Sequence, residues 1–173
     1  MAIQAFYQTV AQLCFTLLGL WWLVLQTKYS EWIGNREQRR MITNISLYFL
    51  LPGSMSLMAL LSTEVHLLWQ VAFLVASTLG AIETGAALRG TGRRGAGTLL
   101  NWVGMGLYLV IALVALVAFI PAVQRELGQQ LGVVPLSIAG ILLTLVIVLG
   151  VTLAWTYFVQ PPTAPAARGP ETH

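Results

Sequence analysis

Residues 134–159 read VPLSIAGILLTLVIVLGVTLAWTYFV, 26 consecutive positions without one charged side chain. A helix rises 1.5 Å per residue, so about 20 apolar residues cross a ~30 Å hydrocarbon core. The run is therefore long enough to span a bilayer. Working back from it, four further apolar runs of similar length occupy 99–120, 67–88, 43–61 and 4–26. Together they predict an all-α integral membrane protein, a bundle of five transmembrane helices filling residues 1–159. Residues 160–173, QPPTAPAARGPETH, hold too little apolar surface to fold and are expected to form a disordered tail.

Composition agrees with this reading. Hydrophobic residues make up 57% of the 173 positions and charged residues 9%, against about 25% in ordinary soluble domains, which excludes a water-soluble fold. The net charge of +3 does not point to nucleic acid, because the arginines lie beside the apolar runs. Arg36, Arg39, Arg40, Arg93 and Arg94 are instead expected to meet anionic lipid headgroups. A single cysteine, Cys14, excludes an intrachain disulfide.

Charge also predicts orientation. The 28–40 and 89–97 connections carry seven Lys and Arg residues, whereas the 62–66 and 121–133 connections carry only Arg125. The positive-inside rule then places the N-terminus outside and the C-terminus in the cytoplasm, the parity that five spans require. The expected location is the cell membrane. Trp21, Trp22, Tyr29 and Trp32, and Trp155 and Tyr157, suit headgroup-level anchors at the inner ends of the first and last spans. Trp32 and Ile33 beside the charges of the 28–40 connection suggest a short interfacial helix. No basic residue precedes Lys28, so the first span is expected to be retained and not cleaved as a signal peptide. With alanine at position 2 and no CaaX spelling at the end of the sequence, neither N-myristoylation nor prenylation is expected.

Motifs for chemistry fail on context. Residues 90–95, GTGRRG, spell GxGxxG, but between two membrane helices they lack the strand and helix that a dinucleotide site requires. No HExxH, CxxC or acyl-transfer elbow occurs. Only His66 lies near the bilayer as a histidine, too few for bis-histidine haem, and no lysine sits mid-span for a retinal Schiff base. The expectation is a protein without cofactor or metal, and not an enzyme.

What remains is a set of polar residues that are costly in hydrocarbon. Gln4, Gln8 and Gln12, with Thr16 next, recur every four residues, so each turns ~40° from the last and they share a face. On the third run His66, Gln70, Ser77, Ala81 and Thr84 form a second polar or small stripe. Spans one and three are therefore expected to face each other, either packing by interhelical hydrogen bonds or lining an aqueous vestibule. Glu83 lies five residues inside the end of its span, ~8 Å of rise, and demands a partner. Asn44 and Asn101 enter their spans at comparable depth, predicting a polar layer of Asn44, Glu83 and Asn101 with Arg40, Arg89 or Arg94 close by. Glu83 lies about 100° round from His66, so both cannot line one straight pore. Pro52-Gly53 is expected to kink span two. Glu64 and His66 read as a hydrated turn in which His66 is a candidate pH sensor.

No internal repeat supports an inverted-repeat transporter, and an odd span count opposes one. Two functions fit. One is a small channel or transport component using the helix 1/helix 3 face (Gln8, Gln12, Gln70, His66) and Glu83. The channel reading allows a homo-oligomer; the other is a non-catalytic subunit or assembly factor of a larger membrane complex, for which the polar faces are packing surfaces.

Overall fold

The computed structural model describes residues 2–32, 36–62, 66–90, 96–121, 123 and 135–159. Five helices account for almost all of them: α1 (Ala2–Trp32), α2 (Arg36–Leu61), α3 (His66–Gly90), α4 (Ala96–Val117) and α5 (Pro135–Val159). Each contains an uncharged or nearly uncharged stretch long enough to cross a membrane, from Ile3–Thr27 in α1 to Pro135–Thr156 in α5. Residues 91–95 and 160–173, the latter expected as a tail, lie outside the described residues.

Local chemistry explains the boundaries. α1 runs through residues 28–32, because no glycine or proline occurs between Gly19 and Gly34. Residues 36–40 open α2, so the expected interfacial helix is not a separate element: its flanks extend two membrane helices. α4 ends at Val117, three residues before the sequence-based limit. The Phe119 and Ile120 amides donate to the Leu116 and Val117 carbonyls at 3.1 and 3.0 Å, tight turns that lead into Pro121. Proline lacks an amide hydrogen and disfavours the helical conformation in the residue before it. Helix α2, by contrast, stays helical across Pro52. Ser54 Oγ donates to the Leu51 carbonyl and Ser56 Oγ to the Pro52 carbonyl, at 2.9 and 2.8 Å, so both hydroxyls are satisfied inside the helix.

Helix α2 is the middle of the bundle. It packs against α1, α3 and α5, while α3 packs on α4 and α4 on α5. Gly53 allows α1 its close approach: a Cβ there would stand 3.1 Å from Cys14 Cβ and 3.3 Å from the Phe15 ring. The core joins Tyr7, Tyr48, Met55, Phe73, Tyr108 and Leu143 from all five helices.

Polarity is distributed opposite to that of a water-soluble protein. Asn44, Ser56, Gln70, Ser77, Thr84 and Asn101 are buried, whereas Leu20, Trp22, Ile82, Leu113, Ile141 and Trp155 stand exposed. So much outward apolar surface is untenable in water and natural in lipid. The fold fits a multi-pass membrane protein.

Candidate functional site

The buried polar groups gather at two levels. Near the end of the bundle that bears Arg40 and Arg89, Asn44 Nδ2 of α2 donates to Asn101 Oδ1 of α4 at 3.1 Å, with both side chains buried. One turn deeper, Tyr48 passes over Gly104, where a Cβ would overlap its hydroxyl. The Tyr48 and Tyr108 ring centroids are 5.8 Å apart, and the Tyr108 ring lies against Gly80. At the far end, Gln70 Nε2 of α3 donates to the Ala118 carbonyl at 2.8 Å. Tyr7 Oη of α1 donates to the Leu136 carbonyl of α5 at 2.6 Å. Tyr7, Phe73 and Trp69 continue from it as edge-to-face rings.

Asn101 and Ala118 are 17 residues apart along the chain, about 25 Å of helical rise, so the two levels sit near opposite faces of a hydrocarbon slab. Between them the core is apolar, with Met55, Phe73, Ile111 and Leu143 buried there. The serines and threonines do not bridge this gap. Ser77 donates to the Phe73 carbonyl, Thr84 to Gly80 and Thr78 to Leu74, each one turn back in the same helix. Hydroxyls used in this way are satisfied within their own helix and leave little polarity for a solvent path. Among the described residues the interior holds two polar clamps and no continuous polar route.

The expected neighbours separate into those brought together and those kept apart. Asn44 and Asn101 meet. Glu83 does not join them: it is exposed on the outer surface of α3, and none of the described hydrogen bonds or ion pairs involves it. The reason is angular. Thr84 and Gly80 occupy the buried face of α3, and Glu83 is turned ~100° from Thr84. Equal depth thus does not mean equal direction.

The pairing of spans one and three is also corrected. α1 packs on α2, turning Tyr7, Val10, Ala11 and Cys14 inward, and Gln4, Gln8 and Gln12 lie exposed. The stripe of α3 instead packs inside the bundle, Gln70 against the end of α4. Tyr7 against Phe73 links α1 to α3, through rings and not amides. Arg39, Arg40 and Arg89 are exposed. His66 opens α3 and Arg36 opens α2, but their side chains, like Glu64, Arg93 and Arg94, lie outside the described residues.

Three buried tyrosines complete the polar levels without having been singled out in the sequence. Tyr48 follows Asn44 by four residues and Tyr108 follows Asn101 by seven, spacings that put each on its asparagine's face. Tyr7 belongs to the inward face of α1, on the flank of the glutamines. Tyr108 Oη and Gln70 Oε1 are buried with no hydrogen-bond partner among the described residues. Among those residues no three His, Cys, Asp or Glu side chains cluster to hold a metal, and Cys14 is a buried free thiol. No protein-family model, curated protein or solved structure matches this chain.

Proposed function

We propose that this chain is a non-catalytic subunit that assembles laterally, with copies of itself or within a larger membrane complex. The observation that carries the reading is outward polarity: Gln4, Gln8 and Gln12 on α1 and Glu83 on α3 are exposed on helices made to cross a bilayer. Primary amides and a carboxylate are expensive against acyl chains and are normally covered by protein or water. The exposed threonines of the spans, such as Thr9, Thr16, Thr78 and Thr152, donate to their own helix, and Gln26 lies at the end of its span, which leaves these four as the places where a neighbour would fit. Orientation follows the arginine and lysine bias, with the N-terminus outside, the C-terminus cytoplasmic and the cell membrane as location.

A transport role is the second reading, and Glu83 is the observation that favours it. An intramembrane carboxylate outside the bundle core suits a polar path formed between subunits, where it would bind a cation or proton. Native mass spectrometry in mild detergent tests both. An assembly subunit gives masses above the 18.8 kDa single chain, and Gln8→Leu with Gln12→Leu shifts them downward without loss of helix content. If the assembly also carries flux in liposomes and Glu83→Gln alters that flux, the transport reading stands. A monodisperse single chain that resists all three substitutions and passes no ions overturns both.

A further inference from the structure

On the outer surface, α3 and α4 part to leave a groove of ≈ 370 Å³ lined by Thr78, Ala81, Gly85, Ala86, Met105 and Ala112, with Arg89 at its mouth. We propose that this groove holds one acyl chain of an anionic phospholipid whose phosphate rests on the Arg89 guanidinium. The inference is independent of the assembly reading and concerns a different surface from the glutamine face.

Length gives the first argument. Thr78 and Arg89 are separated by 11 residues, about 16 Å of rise, close to one leaflet's half of a ~30 Å core. The groove therefore starts at the arginine end and stops near mid-bilayer. Beyond it the α3–α4 seam is tied by Gln70 Nε2 on the Ala118 carbonyl. A transmembrane helix of a partner would need a seam open through both leaflets. A lipid chain needs only one.

Shape and charge give the second. Ala81, Gly85 and Ala86 on the α3 wall and Ala112 on the α4 wall leave an apolar channel at the seam, edged by the exposed Ile82 and Leu109. Gly85 has only Met105 Sδ near it, at 3.4 Å from where a Cβ would lie, so the channel is set by absent side chains and not by a gap in the backbone packing. None of the described ion pairs uses Arg89, which is exposed and placed at headgroup depth. A guanidinium there pairs with phosphate in a bidentate manner, and a net negative headgroup adds attraction that a zwitterionic one lacks.

The test is native mass spectrometry of the full chain taken from micelles containing equimolar phosphatidylglycerol and phosphatidylcholine. Wild type, Arg89→Gln, Gly85→Leu and Ala112→Leu are compared, with helical circular dichroism confirming the fold. One retained lipid per chain with a preference for phosphatidylglycerol is expected. Arg89→Gln should keep a lipid but reduce that preference about fivefold, the worth of one basic residue at the surface. The two leucine variants should lose both lipids, because each fills the channel from a different wall. Unchanged preference in Arg89→Gln, or unchanged lipid retention in both leucine variants, overturns the proposal. So does a leucine variant that sheds a protein neighbour in place of a lipid, which would make the groove an interface between chains.

Discussion

The Asn44–Asn101 hydrogen bond should behave as a coupled pair. It spans 3.1 Å between two buried amides on different helices, 57 residues apart in sequence. Replacing Asn101 by leucine removes an acceptor and leaves Asn44 Nδ2 buried without it, a loss of about 1–3 kcal/mol. Asn44→Leu should cost a similar amount by orphaning Asn101 Oδ1. The double variant removes both polar groups, and leucine is at home in hydrocarbon, so its cost should fall well below the sum. We expect a coupling energy of about 0.6–2 kcal/mol, the range of interhelical hydrogen bonds in membranes. The assay is reversible unfolding in mixed micelles with increasing sodium dodecyl sulfate, read by tryptophan fluorescence and converted to a thermodynamic cycle. Single costs that add to within ~0.3 kcal/mol in the double variant would refute the reasoning. That result would mean the two asparagines are buried independently.

The same unfolding assay carries two further expectations. Gly104→Ala places a methyl on the Tyr48 hydroxyl, and displacing that ring from the core should cost about 1–3 kcal/mol; a neutral variant would show that Tyr48 is free to move. Tyr7→Phe removes only the hydroxyl that reaches the Leu136 carbonyl, so a loss of about 0.5–1.5 kcal/mol is expected, and no loss would mean that the bond contributes nothing. Reporter fusions check orientation: one after His173 should read as cytoplasmic and one before Met1 as external, and the reverse result would defeat the charge argument.

The spans were legible because length and hydropathy are one-dimensional quantities, and the bilayer imposes nearly the same length on each helix. Depth was legible too: counting residues from the arginines put Asn44 and Asn101 at one level, where they meet. Direction was not. A helical wheel gives the angle between Glu83 and Thr84 but not the side on which α2 and α4 lie, and only packing supplies that. The glutamine face failed for a related reason. In water a polar stripe marks the outside of a helix, but among lipid-facing helices polarity alone does not name a neighbour. The fit of α1 to α2 depends instead on Gly53 admitting Cys14 and Phe15, a contact between small and large side chains that no periodicity announces. Tyr48 and Tyr108 carried a usable signal in their four- and seven-residue spacing from the asparagines, hidden because tyrosine also serves as an interfacial anchor.

The central position of α2 has a consequence for how the protein is made. Its partners α3, α4 and α5 all follow it in the chain, so α2 enters the membrane before the surfaces that will enclose it exist. Asn101 leaves the ribosome 57 residues after Asn44, a delay of about 3–11 s at ordinary synthesis rates. Throughout that interval the Asn44 amide has no α4 beside it, and only α1, seated on the Gly53 notch, is already present to shield one flank. The most enclosed helix of the finished bundle thus enters the membrane before most of its surroundings, and it is a segment a membrane-insertion chaperone would have reason to hold.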